Sequence, residues 1–421
     1  MKRALMLCVV CLFSVTFAFA SGADLVLQPQ DHVAVIGDSI TEQRLYSLYI
    51  EDYLLMCQPT GGLRVTQFGW GGETAPGFAN RMANDMLRFN VNVATTCFGM
   101  NDGRYAPMKA DTAKAYRDGQ VSIVKQLKKA GVRCIVVGSP GCVDADTFGG
   151  RKPEQAKMYN ETLAGLRDIA RDVAQEEGVV FANVLDPMLD AMSKAKAKYG
   201  REYHVAGGDG VHPEANGHLV MAYAFLTAMG VDGNIGNITV DLTQGQATAS
   251  DGHKVLASAD GVIELESTRY PFCFFGDPTR TSSTRGMIEF IPFNEKLNRL
   301  TLTVKGATAP RYKVTWGDTS REFTAEQLTS GINLAAEFLD NPFCEPFRQV
   351  EAKIDQQQTQ EVNWVKNLLH DIPAYKQVAP QEGDSLERVA AAIVAEDAKA
   401  RDAAAAAVVP VKHTLKIEPL Q

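Results

Sequence analysis

Four short segments hold residues whose types and spacing suit acyl transfer: Gly37-Asp38-Ser39, Gly71-Gly72-Glu73, Gly99-Met100-Asn101-Asp102 and Asp209-Gly210-Val211-His212. A serine hydroxyl is a poor nucleophile at neutral pH and needs an adjacent base, most often histidine. Asp209 precedes His212 by three residues, so its carboxylate can hold one imidazole nitrogen while the other faces Ser39. The tetrahedral intermediate of such a reaction also needs hydrogen-bond donors for its oxyanion. The backbone amides of Ser39 and Gly72 and the side-chain amide of Asn101 make a set of three, and losing one such donor typically costs on the order of 3 kcal/mol.

These segments need a frame that brings them together. Val33 to Ile36 is a continuous apolar run too short for a helix, as expected of a strand buried on both faces of a parallel sheet. Gly37 turns the chain at its end, and an amphipathic helix starts near Thr41. Further strands are predicted over 63–68, 91–98, 134–137 and 179–184. Helices are predicted between them over 78–89, 111–130 and 153–177, then over 187–199 and 214–229. Strands alternating with helices of ten or more residues imply right-handed crossovers and a parallel sheet covered on both faces, which binds ligands at the carboxyl ends of its strands.

At 421 residues the chain has room for two or three domains. Lys2 and Arg3, an apolar run from Ala4 to Phe17 and the small-residue end Ala18-Phe19-Ala20 read as a cleavable signal peptide over 1–20, so the expected location is secreted or periplasmic. No later apolar run reaches a membrane span. The net charge of −8, more negative once Lys2 and Arg3 are removed, together with the lack of a basic stripe, argues against nucleic acid as a partner. Six cysteines remain, with Cys97 and Cys134 expected as free core thiols. Cys134 with Cys142, and Cys273 with Cys344, are the first pairs to test for disulfides. None has the spacing of a zinc site, and no metal or cofactor is expected.

Beyond about residue 232 the composition changes. Short alternating runs such as ITVDL, GVIELES, MIEFIP, LTLTVKG and RYKVTW predict a small antiparallel sandwich over 233–327. A helical region is expected over 328–421, with a Gln-rich helix over 345–369 and an Ala-rich one over 385–407, both presenting solvated faces, and VKHTLKI as a final strand. The hydrolytic residues fall within 21–232.

In order, GDSI at 37–40, the glycine at 72 in GGETA, GMND at 99–102 and DGVHP at 209–213 resemble the four sequence blocks of the SGNH hydrolases, also called the GDSL family. The resemblance covers about residues 31–230. It implies a three-layer α/β/α sandwich with a five-stranded parallel sheet, Ser39 as nucleophile, His212 as general base, Asp209 as its orienting partner, and Ser39, Gly72 and Asn101 as the oxyanion hole. Gly71 stands where the family usually has serine, a departure that bears on the shape of the loop around Gly72.

Trp70, Arg104 and Tyr105 lie beside the proposed oxyanion donors and are the candidates for substrate contact. Asp38 and Asp102 are expected to hold their own turns, and His218 to be a structural histidine in the closing helix. His204, Asp144 and Asp146 read equally as cleft residues or as loop polarity. The expectation is a secreted serine esterase acting on O-acyl, especially O-acetyl, esters of carbohydrates. A lipid or lysophospholipid esterase is the alternative within the family, and a glycan-binding protein with a vestigial hydrolase domain the alternative outside it. Retention of Ser39, Asn101, Asp209 and His212 speaks against the last.

Overall fold

The structure, a computed structural model, describes residues 27–150 and 152–420. The expected signal peptide lies outside the described residues. The hydrolase part runs β1 (His32–Gly37), α1 (Ser39–Glu42), α2 (Leu45–Asp52), β2 (Arg64–Gly69), α3 (Ala75–Asp85), β3 (Val93–Cys97), α4 (Ala110–Lys129), β4 (Cys134–Gly138), α5 (Pro153–Glu176), β5 (Val180–Ala182), α6 (Leu185–Tyr199) and α7 (Ala215–Ala228). The five strands form one parallel sheet in the order β2-β1-β3-β4-β5. α2 and α7 pack together on one face, while α3, α4 and α5 pack in series on the other. This is the expected α/β/α sandwich with its five-stranded sheet.

The strand order explains where a site can form. From β1 the chain moves outward to β2 on one side and then returns to place β3 on the other, so the loops that follow β1 and β3 diverge and leave a crevice. Register sharpens this: Gly37 lies level with Gly69 of β2 and Cys97 of β3. Ser39, Gly72 and Asn101 therefore follow their strands by two to four residues from one common level. A side chain at Gly37 would bring a Cβ to 2.0 Å from Thr41 Oγ1 and 2.8 Å from the Cys97 carbonyl, so only glycine fits this corner.

The second part comprises β6 (Asn234–Asp241), β7 (Gln246–Ala249), β8 (His253–Ala259), β9 (Val262–Ser267), α8 (Phe293–Leu297), β10 (Arg299–Lys305), β11 (Arg311–Trp316) and β12 (Thr319–Thr324). Then come α9 (Ala325–Ser330), β13 (Ile332–Asn333), α10 (Leu334–Glu337), α11 (Cys344–Trp364), α12 (Ile372–Val378), α13 (Gly383–Ala406) and β14 (Val411–Leu420). Two sheets form, β13-β10-β6-β7 and β12-β11-β14-β9-β8. The expected antiparallel sandwich is in fact mixed, because β6 and β10 pair in parallel. MIEFIP forms turns instead of a strand, with Met287 and Ile291 filling core positions from a loop. The final strand, β14, sits between β11 and β9, so the β-rich unit draws on residues well beyond 327.

A buried polar chain stitches this sandwich together. Trp316 Nε1 donates to His413 Nδ1 at 3.1 Å, which leaves His413 Nε2 to donate to Ser267 Oγ at 2.8 Å. Ser267 in turn donates to His253 Nδ1 at 2.8 Å, and His253 Nε2 donates to the Ile235 carbonyl at 3.0 Å. Burial holds both imidazoles neutral, with the His413 pKa lowered to about 4. Every donor in the chain is thereby matched.

The Gln-rich and Ala-rich helices depart from their expected solvated faces. α11 and α13 cover β2, the edge strand beside the nucleophile's own strand. The Val65 carbonyl accepts from Gln357 Nε2 at 3.1 Å, and the Gln67 amide donates to Glu361 at 2.9 Å. These outward-facing backbone groups would otherwise be an open sheet edge. Gln357, Gln358, Glu361 and Asp397 are all buried at this seam; Gln357 and Glu361 serve the β2 backbone, Gln358 bonds Ser47 and Glu51, and Asp397 bonds Arg401. No described helix is long and apolar enough to cross a membrane. All six described cysteines are free thiols. Cys97 is buried in β3 as expected; Cys273 Sγ donates to the Pro271 carbonyl at 3.5 Å and Cys344 Sγ to the Leu339 carbonyl at 3.4 Å, so neither suggested disulfide pair is joined.

Candidate active site

Asp38 caps α1 by accepting from the Ile40 amide at 2.9 Å, which fixes the first turn and presents Ser39 at its first position. Burial raises the Asp38 pKa to about 7, against the lowering effect of that hydrogen bond. Asp102 ties two loops together by accepting from the Gly99 amide at 2.9 Å and the Ala75 amide at 3.0 Å, and burial raises its pKa to about 6. Both aspartates hold turns, as expected.

Ser39 Oγ lies 2.8 Å from His212 Nε2, and His212 Nδ1 lies 2.6 Å from Asp209 Oδ2. The second oxygen of Asp209 accepts from the Val211 and His212 amides, both at 2.9 Å. Partial burial pushes the Asp209 pKa up, but hydrogen bonds from His212 and Val211 outweigh it and leave the carboxyl below its usual range. An ionised Asp209 accepts a hydrogen bond from Nδ1–H, so Nε2 is left as the acceptor facing the Ser39 hydroxyl. The loop that carries them is braced from outside: Asp144 N donates to the Gly210 carbonyl at 3.0 Å and Gly149 N to the Asp209 carbonyl at 2.8 Å. Gly210 has a φ of +76° and backbone of Thr147 and Phe148 within 3 Å of where a Cβ would stand, so a larger residue would break that brace.

Asn101 donates one amide hydrogen to the Glu73 carbonyl at 3.0 Å, and its carbonyl faces the Tyr105 hydroxyl at 3.4 Å. The second hydrogen is left for a ligand. The Ser39 and Gly72 amides spend their N–H on no other group among the described residues, which suits them to an oxyanion. Arg104 and Tyr105, with φ of +54° and +52°, turn the chain sharply just after Asn101. Tyr105 packs on Phe148 and Tyr159, while the Arg104 side chain is mostly exposed and 3.8 Å from Asp111.

Trp70 is held on the far side of the oxyanion loop. Its ring lies 4.7 Å from the His370 ring and 4.8 Å from both the Arg81 guanidinium and Lys366 Nζ. A cavity of about 590 Å³ opens beside it, lined by Trp70, Glu73, Arg81, Asp85, His370 and Gln377 among others. Lys366 and His370 lie far from the recognised segments in sequence, and no local signal marked them.

His218 is structural: Nδ1 accepts from the Tyr46 amide at 3.1 Å and Nε2 donates to Gln43 at 3.2 Å. Asp144 pairs with Lys196 and His204, and Asp146 with Lys196 and Arg201, so Asp144, Asp146 and His204 are spent on holding this loop against the end of α6. No cluster of three or more metal-ligating side chains occurs among the described residues.

A serine, histidine and aspartate in hydrogen-bonded series at the carboxyl edge of a parallel sheet, beside free amide donors, define a serine ester hydrolase fold and site. Residues 35–220 match the GDSL-like lipase/acylhydrolase family, and this part of the chain belongs to it. Among solved structures, a gut microbial diltiazem-metabolizing enzyme is similar over 95% of this chain and 100% of its own, at 21% identity and a TM-score of 0.73. That likeness extends the shared fold through the sandwich and the C-terminal helices. A catalytic mutant of an acetylxylan esterase from Geobacillus stearothermophilus is similar over 48% of this chain and 96% of its own, at 21% identity and a TM-score of 0.40. An alpha/beta hydrolase from the metagenome of Lake Arreo, Spain, covers 49% of this chain and 98% of its own, at 22% identity and a TM-score of 0.37. Comparison with curated proteins gives no match.

Proposed function

We propose that Ser39, His212 and Asp209 form a catalytic triad that removes short acyl groups, above all acetyl, from carbohydrate esters. The observation that carries this is the unbroken series from Ser39 Oγ through the imidazole to Asp209, at 2.8 and 2.6 Å. Ser39 Oγ attacks the ester carbonyl as His212 Nε2 takes its proton, and the Ser39 and Gly72 amides with Asn101 Nδ2 receive the oxyanion. Collapse expels the alcohol, which takes the proton back from His212. Water, deprotonated by the same nitrogen, then releases the acid and regenerates Ser39. Asp209 stays ionised throughout and stabilises the imidazolium.

Short acyl groups are favoured by the openness of the site. The His212 side chain is 36% exposed and that of Asp209 54%, so the triad opens to solvent, and the exposed Gly71 and Gly72 stand in the loop beside it. The carbohydrate half of the reading rests on the appended sandwich and the expected export, by analogy. Turnover of acetylated xylo-oligosaccharides against p-nitrophenyl esters of increasing chain length tests it. The acetyl ester should be the best substrate, and a preference for acyl chains of eight or more carbons would contradict the proposal in favour of a lipid esterase. No labelling of Ser39 by a fluorophosphonate, with glycan binding intact, would make it a binding protein.

A further inference from the structure

We infer that Lys366 and His370, from the C-terminal helical region outside the family segment, are positioning residues that hold the oxyanion loop in its working shape. The inference rests on the reading of Gly72 as an oxyanion donor. The loop from Gly69 to Thr74 is anchored at both ends by this region.

At the first end, Lys366 Nζ lies 2.5 Å from Glu42 Oε1, while Glu42 Oε2 accepts from the Gly71 amide at 2.5 Å. Glu42 closes the short helix that carries Ser39. A single carboxylate thus links the nucleophile's helix to the residue before Gly72, and Lys366 holds that carboxylate in place. The same ammonium stands 4.8 Å from the Trp70 ring.

At the second end, His370 Nδ1 lies 2.8 Å from Asp85 Oδ2, and Asp85 pairs with Arg81 at 3.2 Å. Arg81 pairs with Glu73 at 2.5 Å, and the Glu73 carbonyl orients Asn101 at 3.0 Å. Two of the three oxyanion donors therefore depend on contacts that lead back to residues 366 and 370.

What lies behind the loop makes these contacts decisive. Trp70 and Glu73 border the solvent-open groove of about 590 Å³ that runs between α3 and α12. Close-packed interiors fix a loop by exclusion, but Gly71 and Gly72 are exposed and nothing stands within 4 Å of a Cβ at Gly72, so the loop relies on its anchors. The anchors are polar contacts with fixed partners, Lys366 on Glu42 and His370 on Asp85, so small changes in them shift the donor geometry on which rate depends steeply.

The test is Lys366→Met, which keeps the apolar stem and removes the charge, alongside His370→Ala and Lys366→Arg, all in the full chain. With p-nitrophenyl acetate, Lys366→Met should lower kcat at least tenfold with KM within about twofold, and Lys366→Arg should restore at least half of the loss. Exchange of the Gly71 amide hydrogen should accelerate at least tenfold in Lys366→Met, while the thermal midpoint stays within about 2 °C, a separation that a merely structural role would not produce. An active wild type whose kcat survives Lys366→Met within twofold would overturn the inference. A wild type inert toward short esters, with Gly71 protection lost in Lys366→Met, would instead overturn the esterase reading and leave the loop anchor standing.

Discussion

Two groups of carboxylates in this molecule meet opposite fates. Asp209, at the open edge of the sheet, is half exposed and accepts three hydrogen bonds, which keep it ionised. Glu51, Glu361 and Asp397, at the seam between β2 and the C-terminal helices, are buried, and burial raises all three; the Glu51 pKa reaches about 8. Gln357 and Gln358 donate to Glu51 at 3.0 and 2.8 Å, and Arg401 pairs with Asp397 at 2.8 Å, but one arginine cannot balance three acids. The same functional group is a charged orienter of an imidazole in one place and, in the other, a buried acceptor whose hold on its proton is strengthened by burial. Solvent access and the number of donors decide which.

If that contrast is right, mutations at the edge should abolish turnover without touching stability, and mutations at the seam should do the reverse. The largest effect is expected for Ser39→Ala and His212→Ala, each losing about four or more powers of ten in kcat with an unchanged urea midpoint. Asp209→Asn should follow, losing roughly two to four powers of ten, because the asparagine no longer enforces the tautomer that leaves Nε2 free. Asn101→Ala comes next, at about 3 kcal/mol in the barrier, read as a drop in kcat with little change in KM.

At the seam, Glu361→Leu removes the acceptor of the Gln67 amide and of Gln357, which should cost about 1–3 kcal/mol in urea unfolding and leave kcat unaltered. The smallest effect concerns pH. Glu51 holds its proton in the folded state up to about pH 8 but loses it near its ordinary 4.5 when unfolded, so the folded state binds more protons between those values. Stability should accordingly decline as pH rises from about 4.5 to 8 and level off above, and Glu51→Gln should flatten that slope. A stability that climbed with pH over this window would show the seam carboxyls to be ionised like Asp209.

The hydrolase half of the fold was legible because its cues are local. The apolar run Val33 to Ile36, the helix stop at Gly131 and the corners at Gly37 and Gly99 each announce their element within a few residues. Ser39, Asn101 and His212 were legible for a related reason: each lies in a short turn after a strand or before a helix, where composition is distinctive. The seam was not. Gln357 and Glu361 look like a solvated helix face because their partner, the outer edge of β2, lies some 290 residues away in sequence. β14 could be read as a strand but not placed between β11 and β9, and the parallel pairing of β6 with β10 has no signature within either strand. Lys366 was hidden likewise, since its importance arises only from contact with Glu42 and Trp70.

The most direct measurement is mass mapping of the protein after brief treatment with a fluorophosphonate. A triad with Ser39 as nucleophile predicts one stoichiometric adduct on the peptide containing residue 39, formed by the native chain, lost on unfolding and lost in His212→Ala. An adduct at another serine, or a Ser39 adduct that forms equally well without the imidazole, would contradict it.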